Sequence, residues 1–417
     1  VNFSSVPRAS ATLSDRGYAA APFELNWGPE EQVFPVTSGD MQKNSKTIFG
    51  YGYTDPALLP LREIFTHATT VYCYRLGKGA VKATNDLATA KYGGTRGNDI
   101  AITVAANVDE GSLWDGSNVV DMQTVSKAAD LVGNDWVDFK ASGTLEATAG
   151  KPLEGGENVS SINGESHQAF LDKIEPYSYN VLCCPTADPT TIKLYQQFTS
   201  RLRDEVGSKF QLVAWQPTTA DYEGIIGVWN KVTHSSIADV PEHLLVYWLA
   251  GAEAGCAVNK SLTNFKYDGE LTIDTNYTQA ELEAALKAGK LLIHNVNGDP
   301  RILDDINTLL TLSDTKGEIF QSNQTMRVCD QIANDTAVLF ATKYLGTVPN
   351  DASGRSSLWG DITKLIQDLN TIRAVQDFDP EIVTCEQGDA KNAVLCTVDG
   401  LNIVNAMAKL YMSVIIQ

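Results

Sequence analysis

Two hydrophobic rhythms run along the chain. Short β-branched and aromatic runs separated by turn residues fill the first 160 positions, and stripes at helical spacing dominate the remainder. Within 1–92, segments 20–27, 47–51 and 70–76 (TVYCYRL) predict strands. Asp55, followed by Pro56, predicts a cap for a helix carrying Leu58, Leu59, Leu61, Ile64 and Phe65, whose start Pro60 leaves open. A turn cluster at 93–99 (GGTRGND) then introduces short strands at 100–105, 118–124, 136–140 and 143–148, with a Gly/Ser/Asn-rich exit at 151–164. That spacing describes a small all-β module inserted over 93–160.

From Ser166 the period lengthens. A helix at 167–174 precedes the apolar strand 180–184 (NVLCC). Asp188 then caps a helix through Ile192, Leu194, Tyr195, Phe198 and Leu202, and strands follow at 210–215 and 225–229. Continuous apolar strands joined through a helix imply βαβ units in a parallel sheet. An Ala/Gly-dense helix at 240–258, a Thr278/Glu281 capping box and a strand at 291–296 complete an α/β domain over 161–299. In the last segment, 300–417, residues 302–312 fit strand or helix equally. A helix over 326–345 is expected to bury Cys329, Ile332, Ala333, Ala337, Phe340 and Tyr344. A second helix, 356–373, carries Trp359, Ile362, Ile366, Leu369 and Ile372, with Ser356 or Ser357 as cap, and 381–386 with 392–398 form a hairpin. The chain closes on VNAMAKLYMSVIIQ, 404–417, its most hydrophobic strand. The expected fold is therefore α+β and multidomain. An α/β core comes from the middle and C-terminal regions, with the inserted all-β module and extended terminal arms.

At 417 residues, two to four domains are expected, and 1–92, 93–160, 161–299 and 300–417 are the segments the pattern marks. The 51 acidic residues against 32 Lys and Arg give a net charge of −19, which excludes a generic nucleic-acid binder. Seven cysteines without CxxC or Cys/His spacing are expected to be small buried hydrophobes of an intracellular protein. No signal peptide or membrane span is legible. The sequence opens on Val1-Asn2-Phe3 without Met, so processed or further N-terminal residues are expected before it.

Catalytic chemistry needs convergent polar groups, and the pattern supplies none. Of the histidines, only His234 and His243 are near each other, and their nine-residue offset suits no helical metal pair. Residues 354–358 (GRSSL) begin like a nucleophile elbow but lack its second glycine. Asp299, Asp304, Asp305, Asp377 and Asp379 read as scattered surface acids. No metal, cofactor or enzymatic activity is expected.

Several segments occur in an order that carries a likeness. They are FELNWGP (23–29), IFGYGYT (48–54), YGGTRGNDI (92–100), TMRVCDQIAN (325–334), GTVPNDASGRSSLW (346–359), IRAVQDFDP (372–380) and the terminal VNAMAKLYMSVIIQ. Together they resemble the contractile tail sheath proteins of bacteriophages and phage-tail-like particles, especially those of Gram-positive bacteria. The resemblance implies subunits that polymerise as stacked six-membered rings around an inner tube and contract to drive it through a target envelope. It implies as partners other copies of the chain, the inner tail tube protein, and baseplate and tail terminator proteins, with no nucleic acid and no membrane insertion. It places the protein in a virion or tail-like particle, assembled in the bacterial host cytoplasm; infectious phage and bacteriocin-like tail both stay open. Terminal arms exchanged between subunits would use Asn2, Phe3, Leu410, Tyr411, Met412, Val414, Ile415 and Ile416. Family members usually carry a further Pro-Gly-Val-Tyr-like arm ahead of the region matching Val1–Val6, so that half of the exchange is expected outside this sequence. Local positive charge on an acidic protein points to Arg355, Lys364 and Arg373 for contact with the tube. The rival reading is an α/β enzyme centred on 166–300, with the terminal strand in its own sheet.

Overall fold

The computed structural model describes residues 12–105, 110–115 and 118–415. The chain divides into two compact units, one of residues 20–65 and 70–177, the other of residues up to 19, 66–69 and 178–417.

In the first unit, Val33–Thr37 and Thr70–Arg75 pair antiparallel, Val33 opposite Tyr74. Between them lies a helix, Ser38–Phe49, where a strand was expected from residue 47. Thr37 caps it by accepting from the Asp40 N–H, and Gly50 ends it at φ 79°, a left-handed conformation glycine adopts without cost. The short helix after Asp55 resolves the ambiguity at Pro60. A tight turn, Pro56–Leu58, precedes Leu59–Phe65, so Pro60 sits in the first turn, where no N–H is needed.

The β module is a four-stranded antiparallel sheet. Its order is Asn118–Thr124, Glu110–Asp115, Ile100–Val104, Thr148–Pro152, with a second small pair of Ala88–Ala90 and Val137–Phe139. The last strand is shifted from the expected 143–148 by five residues at its start and four at its end. It runs into the segment expected as the exit, and Gly150 and Pro152 are tolerated in it because it is an edge strand. Trp27, Ile100, Ile102, Trp136, Val137 and Leu153 form the core of this region, with the Trp27 and Trp136 rings 5.7 Å apart.

In the second unit, Val181–Cys184, Gln211–Trp215 and Ile225–Val228 form the expected parallel sheet, all thirteen residues buried. Helix Leu245–Gly255 packs on the first two of these strands. Every residue from Leu245 to Ala254 is buried, because Ala and Gly allow the backbones to approach closely. The Thr278/Glu281 capping box is present at the start of Gln279–Lys287. Residues 303–312 contain neither helix nor strand beyond a single bridge at Ile306.

Downstream, helices Asn323–Leu339 and Ala352–Thr371 enclose a cluster with Leu339, Tyr344, Leu358, Ile362, Leu365, Ile366 and Val383. Asp351, not Ser356 or Ser357, caps the second helix by accepting from the Gly354 N–H. The GRSSL segment is therefore helix interior. Strands Val383–Gln387 and Val394–Val398 make the expected hairpin, laid on this cluster.

Candidate functional site

Helix Asn323–Leu339 turns an unusual face inward. Asn323, Gln324, Thr325, Arg327, Asp330, Gln331 and Asp335 are buried. The expected stripe is not the buried face: Cys329, Ile332, Ala333 and Phe340 are half-buried and Ala337 is exposed, leaving only Tyr344 inside. Periodicity equates apolar with buried, whereas here fixed hydrogen-bonding partners decide which side faces in.

Arg327 is the centre of this face. One guanidinium nitrogen donates to Glu253, and the other donates to Asp305 Oδ2 at 2.5 Å and to the Lys260 carbonyl at 2.9 Å. Asp305 also accepts from the Leu262 N–H and from Asn323 Nδ2, each at 2.9 Å. Asp305 is 2% exposed, which corrects its reading as a surface acid. Three residues along the helix, Asp330 receives a two-pronged contact from buried Arg203 at 2.7 and 2.8 Å.

Burial opposes the Arg327 charge, but Asp305 and Glu253 outweigh it and hold the guanidinium above its ordinary value. Burial, then the Asp305 charge, pushes the Glu253 carboxyl well up. Burial acts on Asp305 too, yet the Arg327 charge and the Leu262 N–H hold that carboxyl below its usual range. The two acids thus differ: Asp305 is the committed anion and Glu253 the one nearer to taking a proton.

The first turn of the same helix holds the root of the C-terminal segment. Gln324 Nε2 donates to the Val404 carbonyl at 3.1 Å, and its Oε1 accepts from the Ala406 N–H at 2.8 Å. Thr325 Oγ1 donates to Asn405 Oδ1 at 3.1 Å. The Val404 N–H donates to Ala374 and the Gln376 N–H to Asn402, while Val375 and Ile403 form an antiparallel bridge. Beyond Ala406 the anchoring stops. Residues 407–415 lie in no helix or strand, and Leu410, Tyr411, Met412, Val414 and Ile415 are 72–90% exposed. The strand expected over 404–417 is unpaired within its own chain among the described residues. Asn2, Phe3 and Ile416 lie outside the described residues.

The three cations singled out in sequence do not form one patch. Lys364 and Arg373 are exposed. Arg355 is half-buried and donates to the Asn350 carbonyl and to Gln387 Oε1, both at 3.1 Å. Nine residues at about 100° each put Arg355 and Lys364 on opposite sides of their helix.

Among the described residues no catalytic set is assembled. A surface cleft of about 590 Å³ beside Arg355, bordered by Tyr344, Pro349, Asn350 and Lys391, has no acid, histidine or cysteine in its lining. His67 meets Asp268 at 2.9 Å, but the same oxygen accepts from Trp248 Nε1, and Trp248 and Phe265 pack around the imidazole. Among the described residues no cluster of three His, Cys, Asp or Glu could hold a metal.

Four family models tile the chain. They are the tail sheath protein Gp18 domain III N-terminal region over 16–76, the phage tail sheath β-sandwich domain over 77–158, the central domain over 160–308 and the C-terminal domain over 315–417. The crystal structure of the sheath tail protein from Desulfitobacterium hafniense is similar at 32% identity and a TM-score of 0.82, covering 93% of this chain and 92% of that one. The phage-like element PBSX protein XkdK of Bacillus subtilis is 32% identical over 99% of this chain and 95% of its own length. The helical sheath of the anti-feeding prophage in its contracted state shares the fold at 13% identity and a TM-score of 0.61. The family is one of structural proteins, which removes the enzyme reading of residues 166–300. With sheath models along its length and a sheath tail protein matching more than nine-tenths of it, the chain belongs to the phage tail sheath protein family.

Proposed function

We propose that this chain is one subunit of a contractile sheath, stacked in six-membered rings around an inner tail tube, and that residues 407–415 are a strand donated to a neighbouring subunit. The observation that carries the reading is the terminal segment, anchored at Val404–Ala406 yet exposing six large apolar side chains, Met407 among them. In extended form, Leu410, Met412 and Val414 would share one face and Tyr411 and Ile415 the other. A strand apolar on both faces suits a sheet covered on both sides. The hairpin Val383–Gln387 with Val394–Val398 is the acceptor we favour. It is two-stranded, so among the described residues neither edge has a further partner strand, and Leu395 is exposed beside them. Asn2, Phe3 and Ile416 extend the exchange at its two ends.

The energetics suit reversible storage as a soluble subunit. Each added backbone hydrogen bond contributes about 0.5–1.5 kcal/mol net, and each fully buried large apolar side chain about 1.5–3 kcal/mol. Ordering the segment costs roughly 1–2 kcal/mol per residue. One junction is therefore modest, and a lattice multiplies it. The baseplate, tail terminator and inner tube would supply the nucleus, in the host cytoplasm, for a tail or tail-like particle. Lys364 and Arg373, both exposed, are the cations that could face the tube, with Arg355 bracing the loop before the helix.

Deleting residues 410–417 tests the exchange. Negative-stain microscopy should show no sheath or rings from a chain that remains folded, and normal sheath from the deleted chain would sink the reading.

A further inference from the structure

The acceptor hairpin carries a feature with its own chemistry. Cys385 stands directly across from Cys396 in the strand register, and their sulfur atoms lie 2.8 Å apart as free thiols. The Gly388 N–H donates to Ala393 and the Asp399 N–H to Ile382, one beyond each end of the ladder. Counting inward from either end, Cys385 and Cys396 fall at a non-hydrogen-bonded position, where opposed side chains come closest. Cys396 is exposed, while four of the remaining cysteines, Cys73, Cys183, Cys184 and Cys256, are buried and Cys329 is half-buried.

We propose that Cys385 and Cys396 are a redox site that closes to an intrachain disulfide when a small disulfide such as oxidised glutathione is present. Cys396, the exposed member, attacks one sulfur of the oxidant as thiolate and releases one small thiol, leaving a mixed disulfide on Cys396. The Cys385 sulfur, losing its proton to solvent, then attacks the Cys396 sulfur and expels the second small thiol. Two protein thiols are oxidised and one small disulfide is reduced to two thiols, so atoms and electrons balance. Burial and then the Cys396 thiol push Cys385 up to about 12, so it stays protonated until the mixed disulfide forms beside it. In a reducing cytoplasm the pair stays open; outside the cell it closes. The chemistry rests on the hairpin alone. Its consequence, a covalently tied acceptor sheet in the released particle, rests on the strand-exchange reading.

Trypsin cuts after Arg373, Lys391 and Lys409, which puts Cys385 and Cys396 on separate peptides, 374–391 and 392–409. The full-length protein is incubated with oxidised glutathione, alkylated in denaturant, digested without reductant and mapped by mass spectrometry. The expected result is the two peptides joined, their alkylated forms reduced about tenfold or more, and a monomer on a non-reducing gel. Cys396→Ser should leave peptide 374–391 alkylated. Both peptides recovered alkylated, a stable glutathione adduct on Cys396, or a chain-to-chain dimer through Cys396 would each overturn the proposal. Sheath formation by the Cys396→Ser chain in reductant is read separately, so failure of strand exchange and failure of the redox site are told apart.

Discussion

The interior around Arg327 and the segment after Ala406 lie at opposite ends of one anchored stretch, and each reverses the usual placement of residues. Around Arg327, charges sit where a core would put leucines. After Ala406, leucine, valine and isoleucine sit where a surface would put charges. The first reversal is largely met within the chain: Glu253, Asp305 and the Lys260 carbonyl accept from Arg327, and Asn323 and the Leu262 N–H donate to Asp305, while Arg327 Nε is buried without a hydrogen-bond partner among the described residues. The second is not satisfied within the described chain. Gln324 and Thr325 join them, one helix turn holding the tail root while its neighbour Arg327 is locked in the core. Inverted polarity inside fixes a position; inverted polarity outside calls for a partner.

The comparison breaks first at the tail. Deleting residues 410–417 should abolish assembly yet shift unfolding free energy by no more than about 0.5 kcal/mol, as for surface residues without partners. A urea-midpoint loss of several times that would mean the tail belongs to its own subunit's fold. Next comes the core. Arg327→Met strands Glu253 and Asp305, and a loss of about 3–5 kcal/mol is expected by chemical denaturation. A loss below about 1 kcal/mol would show that the cluster is not the anchor it looks like.

Gln324→Ala probes the joint. It removes two hydrogen bonds to the tail root, and a stability loss of about 1–3 kcal/mol is expected, with slower sheath growth in light scattering. Asp305 sets a smaller, pH-dependent effect. Its folded value is depressed, so its stabilisation is fully present above the unfolded value of about 3.9 and is lost as pH falls through the folded value. Urea midpoints followed downward from pH 5 should therefore decline more steeply in the parent than in Asp305→Asn. Glu253 has the opposite sign: its raised folded value means stability declines as pH rises from about 4.3 toward that value. Glu253→Gln should remove that decline. Smallest in stability is Lys364→Glu, expected within about 0.5 kcal/mol, with weakened attachment to the tube in co-sedimentation as its only clear effect.

Much of the fold was legible because it rests on strong local signals. The buried strands around Val181, Leu212 and Ile225, the Thr278/Glu281 box and the Val383–Val398 hairpin follow from composition and spacing. Helix Ser38–Phe49 was not legible, because its polar sequence shows no apolar stripe and only its Thr37 cap and Gly50 stop mark it. The candidate site was half legible. Leu410, Tyr411 and Ile415 announce themselves by being apolar at a terminus, whereas Glu253, Asp305 and Arg327 are spread over 74 residues with no spacing rule to join them. The Cys385/Cys396 pair was missed although both strands were expected, because register is set by the turn and sequence spacing does not state it.

The sequence by itself determined the elements with strong local signals, the apolar terminal segment and the likeness to sheath proteins, since these depend on local propensity and order along the chain. Only the tertiary structure decided which face of helix Asn323–Leu339 is buried, which acids are interior, and that the terminal segment finds no strand partner in its own chain among the described residues. Those outcomes depend on which distant groups meet, and the free energy of a charge or an apolar side chain follows from its partners rather than from its own identity.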